Sequence, residues 1–186
     1  VNVTVPFKNL IIPFLDDLDT VAKETQSVNT LFKVNNKIIG YNTDSLGFKE
    51  TITKLYPHKE NSIKQGTLAG KNVFILGAGG VSSSIIFALY KSGAKIILSN
   101  RTKNKAEELK KLFPKLEILD WGEKPPNCNI VINTTSVGLI KDEEIKIDFS
   151  DYNESPHKDV LFYDLIYNPK ETRFLKSARL RGNKTM

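Results

Sequence analysis

Phe74-Ile75-Leu76-Gly77-Ala78-Gly79-Gly80-Val81-Ser82 runs from a buried-type strand through a glycine turn into a helix. Gly77 suits the tight turn, and Gly79 lets backbone approach a pyrophosphate. The helix start then offers unsatisfied N–H groups and the positive end of its dipole to an anion. Ser82 fills the third position of a G-x-G-x-x-G pattern: small enough for close helix–sheet packing, though not glycine. Strand before and helix after are what raise a common glycine loop to a dinucleotide site over Gly77, Ala78, Gly79, Gly80, Val81 and Ser82; a purely structural turn is the plainer alternative. Outward from the turn, apolar strands are expected at residues 73–76, 95–98, 116–119, 130–133 and 160–163. Helices are expected at 81–91, closed by Gly93, at 103–113 and at 171–180. Ile- and Val-rich strands alternating with short helices give an α/β three-layer sandwich, a Rossmann-type parallel sheet covered on both faces.

The second strand of that pattern selects the dinucleotide. NAD sites place Asp or Glu about 20 residues on, to accept from ribose hydroxyls. Here Ile96-Ile97-Leu98 ends in Ser99-Asn100-Arg101-Thr102, with Lys105 one turn later. Arginine pairs with a 2′-phosphate through parallel hydrogen bonds, and Asn and Thr add neutral donors. NADP is therefore expected over NAD. The net charge of +6 on 186 residues, 27 basic against 21 acidic, is concentrated here, since residues 91–115 hold eight basic and two acidic side chains. A solvated helix face is the plainer reading of this patch. Nucleic acid is a further candidate, but the aromatics do not interleave with the basic residues as a stacking platform requires.

Upstream, Val1–Val5 alternates like a strand, Pro6 suits a helix start, and residues 8–16 suggest a short helix that Pro13 spoils. Residues 30–34 and 38–41 read as a hairpin turned at Asn35-Asn36. Thr43-Asp44 reads as the cap of a helix carrying Leu46, Phe48, Ile52 and Leu55, and residues 57–71 as a loop. His58 and His157 sit in polar, proline-adjacent stretches, and Cys128 beside Pro-Pro reads as structural. The polar residues left at strand ends are Thr4, Lys8, Asn29, Thr30 and Asn42 to Asp44. A lysine beside a carboxylate can relay a proton to a carbonyl becoming an alcohol. The residues alone leave open that Asn29 and Asp44 merely cap turns and that Lys8 is a surface charge.

Taken in order, Asn2-Val3-Thr4-Val5-Pro6-Phe7-Lys8, Val28-Asn29-Thr30, Gly40-Tyr41-Asn42-Thr43-Asp44, Gly77-Ala78-Gly79-Gly80, Asn100-Arg101-Thr102, Asn133-Thr134-Thr135-Ser136-Val137-Gly138 and Asp164-Leu165-Ile166-Tyr167 resemble the motifs of shikimate dehydrogenases over nearly the whole chain. The resemblance implies NADPH-dependent, reversible reduction of 3-dehydroshikimate to shikimate, on the route to chorismate and the aromatic amino acids. It implies Lys8 and Asp44 as the catalytic pair, with Thr4, Lys8, Asn29, Asp44 and Tyr167 on the substrate. Gly77 to Ser82 would hold the pyrophosphate, and Asn100, Arg101, Thr102 and Lys105 the 2′-phosphate. Lys105 replaces a frequent arginine there, and Thr135 and Leu165 fall near the nicotinamide. A serine pair and a glutamine that grip substrate in the family have no counterpart in residues 1–186, so the chain reads as such an enzyme cut at both ends. The implied organisation is part of a smaller α/β substrate domain at 1–43, a connecting helix and loop at 44–66, and the NADP-binding domain at 67–186.

A quinate/shikimate dehydrogenase with mixed NAD and NADP use is the near alternative, and the missing acid at the second strand argues against it. A glutamyl-tRNA reductase would need a nucleophilic cysteine, for which Cys128 is poorly placed. A non-catalytic basic nucleic-acid-binding domain is the alternative from another class. No metal site, nucleic acid or membrane partner is expected. A homodimer is open, since oligomeric state is not legible. One cysteine cannot make an internal disulfide, and no apolar run approaches the ~20 residues of a membrane helix, so the cytoplasm is the expected compartment.

Overall fold

The computed structural model describes residues 1–57, 67–140, 143–153 and 159–186. His58, His157 and most of the loop expected at 57–71 lie outside the described residues. Packing divides the chain into two units, Val1–Ala69 with Gly79–Ala94, and Gly70–Ala78 with Lys95–Met186. The boundary thus crosses the glycine turn between Ala78 and Gly79.

In the first unit, β1 (Asp17–Leu18), β2 (Thr30–Val34) and β3 (Lys37–Tyr41) form a sheet in the order β1-β3-β2. The β2–β3 hairpin follows expectation: Asn35 and Asn36 take positive φ (47° and 63°), the left-handed geometry that matches strand twist and that asparagine tolerates. Among the described residues, α1 (Thr20–Thr25), α2 (Asp44–Leu55) and α3 (Ser82–Lys91) accompany the sheet. On α2, Phe48 and Ile52 are buried, whereas Leu46 and Leu55 are exposed. Helix α3 is closed just past Lys91 by Gly93, whose φ is +84° and whose N donates to Tyr90 O.

Two expectations fail here. Val1–Val5 makes only an isolated bridge, Asn2 to Thr30, because the chain turns at Val5 after pairing through Val3 N to Asn29 O. Residues 8–16 hold turns and a 3₁₀ turn at Ile12–Phe14 rather than an α-helix, with Pro13 at its start, where the missing N–H costs nothing. Helix α1 and β1 were not foreseen; both are too short to show a period.

In the second unit, a parallel sheet of the described residues runs β6-β5-β4-β7-β8-β9. Its strands are β4 (Asn72–Leu76), β5 (Lys95–Ser99), β6 (Glu117–Leu119), β7 (Ile130–Asn133), β8 (Leu161–Asp164) and β9 (Lys184–Thr185), with α4 (Lys103–Leu112) and α5 (Arg173–Leu180) as its helices. This is the α/β, Rossmann-type parallel sheet expected from the strand–helix alternation. Val73 to Leu76 and Ile130 to Ile132 are fully buried, which is why these strands read as unbroken apolar runs. One core cluster gathers Phe74, Val131, Phe162 and Phe174 around Phe149, whose ring meets Phe162 edge-on at 5.4 Å and Tyr152 at 5.6 Å. Phe149 and Tyr152 come from a stretch without strand or α-helical pattern, so the sequence reading missed them as core.

Candidate active site

In the first unit, Lys8 Nζ donates to Asp44 Oδ2 at 2.6 Å. The two side chains are only 11% and 22% exposed. A largely desolvated ion pair loses hydration on both sides and adds little net stability. Lys8 is fixed through its backbone, where Val28 N donates to Lys8 O at 2.9 Å. Asp44 opens α2, where the helix dipole favours a carboxylate. Thr43 is the N-cap residue, but its side chain does not cap. Asn42 does so instead, its Oδ1 accepting from Asp44 N at 3.1 Å and, at longer range, from Ser45 N.

Asn29 completes the cluster. Its Nδ2 donates to Asp44 Oδ1 and to Thr43 Oγ1, both at 2.9 Å. Its Oδ1 accepts from Thr43 N and Thr30 Oγ1, both at 3.0 Å. Both amide hydrogens and both lone pairs are thus engaged in holding Asp44 and its turn. Gly80, from the glycine turn, lies against Lys8: a methyl group on it would sit 3.8 Å from Lys8 Cβ and Cδ. Thr4 is exposed, its carbonyl accepting from Phe7 N. Within this unit the structure therefore brings together Lys8, Asn29, Asp44 and Gly80, residues scattered over more than seventy positions of sequence.

Each unit holds its own part of the glycine turn. In the second unit Gly77 has φ +103° and donates from N to Ser99 O at 2.9 Å. Thr134 Oγ1 bonds Leu76 O and Gly77 O, and Asn100 Oδ1 accepts from Ala78 N at 3.0 Å. Asn100 Nδ2 donates to Thr102 O, so this side chain braces the turn against the end of β5. In the first unit, Gly79 N donates to Ser82 Oγ at 2.9 Å, which gives the small residue at the pattern's third position a bonding role as well as a packing one. Val81 is half-buried, and Arg101, Thr102 and Lys105 are exposed at and beyond the end of β5. Lys103 instead pairs with Asp120 at 2.8 Å.

Two loops follow β7 and β8. Asn133 Oδ1 accepts from Thr135 N and Oγ1, and Asn133 Nδ2 donates to Val137 O and to Asp164 Oδ1 at 3.0 Å. Asp164 also accepts from Ile166 N and Thr172 Oγ1. Burial raises the Asp164 carboxyl above its ordinary range, against the hydrogen bonds that favour its charge. This network fixes the loops that carry Thr135 and Leu165, both half-buried, and Tyr167, which is 90% exposed. Asn42, Asn133 and Asp164 are buried ties that sequence reasoning placed inside motifs without giving them a role. A polar residue at a strand end reads equally well as facing a ligand or as a buried tie. Cys128 is buried and its thiol is pushed up to about 11 by desolvation, which suits structure rather than nucleophilic attack. Among the described residues no cluster of His, Cys, Asp and Glu could hold a metal ion, and no helix is long and apolar enough to cross a membrane.

The chain combines a Rossmann-type parallel sheet with a lysine–aspartate pair that lies near Gly80. Residues 59–172 match the family described as shikimate / quinate 5-dehydrogenase, and residues 1–31 match the shikimate dehydrogenase substrate binding domain. The chain belongs to the shikimate / quinate dehydrogenase family. It is 51% identical over 185 residues to the shikimate dehydrogenase (NADP(+)) of Pelagibacter ubique (strain HTCC1062), covering 99% of this chain and 64% of that protein. A crystal structure of a shikimate dehydrogenase in complex with NADP+ superposes with a TM-score of 0.83 at 33% identity, covering 100% of this chain and 63% of that one. The ligand-free 5-ketofructose reductase of Gluconobacter sp. strain CHM43 gives 0.79 at 32% identity, covering 100% and 65%. The chain thus spans just under two thirds of the length of the proteins it matches.

Proposed function

We propose that this chain forms the catalytic and cofactor-binding part of an NADPH-dependent shikimate dehydrogenase, which reduces 3-dehydroshikimate reversibly to shikimate on the route to chorismate and aromatic amino acids. The carrying observation is the 2.6 Å Lys8–Asp44 pair set against Gly80 of the glycine turn. It supports a proton carrier at Lys8, held by a carboxylate partner in the same unit as Gly80.

The residues present fit NADP. The turn is built for backbone approach, α3 opens behind it, and Arg101 and Lys105 stand at the end of β5 where an NAD site would carry an acid. When bound, NADPH supplies the hydride that reduces the carbonyl carbon. The Lys8 ammonium has three hydrogens, one of them held by Asp44, and donates another to the oxygen as negative charge builds there. In the reverse direction neutral Lys8 takes that proton back. Asp44 orients Lys8 and accepts from the substrate hydroxyl beside the ketone. Thr4, Asn29 and Tyr167 serve the remaining substrate polar groups; Asn29 does so by giving up one of its present bonds. Asn100 and Thr102 frame the 2′-phosphate that Arg101 and Lys105 neutralise, and Thr135 and Leu165 border the nicotinamide. On this reading residues 1–43 belong to the substrate part, 44–66 connect, and 67–186 bind NADP, in the cytoplasm.

The test uses the chain completed with the flanking segments of the Pelagibacter relative, assayed by NADPH oxidation with 3-dehydroshikimate. Lys8→Ala should lower kcat by about 100-fold or more while NADPH affinity holds, as for lost general acid catalysis. Arg101→Ala should raise the KM for NADPH roughly tenfold and leave NADH use nearly unchanged, as for one charge-assisted bond. Turnover of 5-ketofructose but not of 3-dehydroshikimate would overturn the substrate, and equal use of NADH would overturn the cofactor. Nucleic-acid binding that falls steeply with salt and ignores NADPH would support a non-catalytic protein instead.

A further inference from the structure

Asn42 has no place in the chemistry proposed above, yet its buried carboxamide is bonded on every side. Oδ1 accepts from the backbone N–H groups of Asp44 and Ser45, which start α2. Nδ2 donates to Ser27 O and to Ser84 Oγ, both at 2.8 Å, and more weakly to Thr25 Oγ1 at 3.2 Å. Ser84 belongs to the first turn of α3 and is fully buried. Ser27 in turn donates from Oγ to the carbonyl of Gly80 at 2.9 Å.

Lys8 is thus confined by two partners, Asp44 as its ion-pair acceptor and Gly80 as its packing neighbour, and both are referenced to this one carboxamide. We propose that Asn42 is a positioning residue, fixing the Lys8–Asp44 pair relative to Gly80 and α3 so that proton carrier and Gly80 keep one spacing. This rests on the dehydrogenase reading above. The residue type follows from the bonds. One side must accept from two N–H groups while the other donates to a carbonyl, which only a carboxamide does. Aspartate would keep the acceptor and set a carboxylate oxygen against Ser27 O. Glutamine, one methylene longer, would not fit a site buried to 4% exposure.

The experiment compares Asn42→Ala, Asn42→Asp and Ser84→Ala in the completed chain by steady-state kinetics and by amide hydrogen exchange. Asn42→Ala should lower kcat about tenfold to a hundredfold, as for a sub-ångström to ångström misplacement of a reacting group, with both KM values within about twofold. Its Asp44 amide should exchange faster, while the amides of β4 keep their protection. Asn42→Asp should retain protection at the Asp44 amide and still lose kcat, because the donors to Ser27 and Ser84 are gone. Ser84→Ala removes one bond and should lower kcat roughly threefold to tenfold without harming the fold, which keeps the test open if Asn42→Ala does not fold. Unchanged Asp44 exchange in Asn42→Ala would overturn the inference. So would kcat within twofold of wild type in both Asn42→Ala and Ser84→Ala, or a parallel loss of protection in β4, which would mark a merely structural residue. An inactive wild type would overturn the dehydrogenase reading instead, and exchange at Asp44 would then decide the tie itself without turnover.

Discussion

Replacing Gly77 with alanine should be one of the more costly single changes in the second unit. The backbone there has φ +103°, a conformation that L residues rarely adopt. Holding a side chain in such a region costs about 1–3 kcal/mol. The new Cβ would also lie 2.7 Å from Thr135 Cγ2, 3.0 Å from Thr134 Oγ1 and 3.1 Å from Thr135 N. None of these yields easily. Thr134 Oγ1 is bonded to two carbonyls, and turning Thr135 would break its 2.7 Å bond to Asn133 Oδ1. Overpacking of this kind adds about 1–3 kcal/mol, giving roughly 2–6 kcal/mol in all. For a chain of this size each kcal/mol lowers Tm by about 2–4 °C, so a fall of roughly 10 °C is expected in a circular-dichroism melt.

A partner substitution separates the two causes. Thr135→Ser deletes the clashing methyl and keeps the hydroxyl that bonds Asn133. In the Gly77→Ala background it should recover about 1 kcal/mol and no more, since the positive φ and the Thr135 N contact persist. A Tm within about 2 °C of wild type for Gly77→Ala alone would refute the reasoning, because strain and overlap of this size exceed that margin.

Two further outcomes follow from buried titratable groups. The folded state raises the Asp164 carboxyl above its unfolded value of about 3.9, so between those two values the native protein binds the proton more tightly. Stability from this group is complete below the unfolded value and is lost as pH rises through the folded one. The unfolding free energy of wild type minus that of Asp164→Asn, from urea titrations at several pH values, should therefore shrink as pH rises from 4 to 7; a constant or growing difference would refute the reading. Cys128, with its thiol pushed to about 11, should react with a disulfide reagent at pH 8 far more slowly in the native protein than in urea. Equal rates would show that the thiol is not shielded.

Features set by neighbouring residues were legible in the sequence. The glycine turn, the Asn35-Asn36 hairpin, the alternation of apolar strands with short helices and the absence of an acid after β5 each depend on a few adjacent side chains. Val1–Val5 shows the limit of such reading, for its alternation suits a strand but gains only one bridge. Tyr152 and Phe149 show the converse. A stretch with no repeating pattern enters the core because the sheet beside it offers Phe162 and Phe174 to pack on.

Polar residues divide in the same way. The sequence places Asn29, Asn42, Asp44, Asn100, Asn133 and Asp164 at strand ends and turns, because local periodicity and turn preference set where elements stop. Only the tertiary structure decided which of them pair and which brace. Lys8 meets Asp44 across 36 positions, Asn42 ties α2 to α3, and Asp164 is buried among Asn133 and Thr172. The physical reason is that desolvation and hydrogen-bond satisfaction are set by partners brought from elsewhere in the chain, and no local pattern encodes those partners.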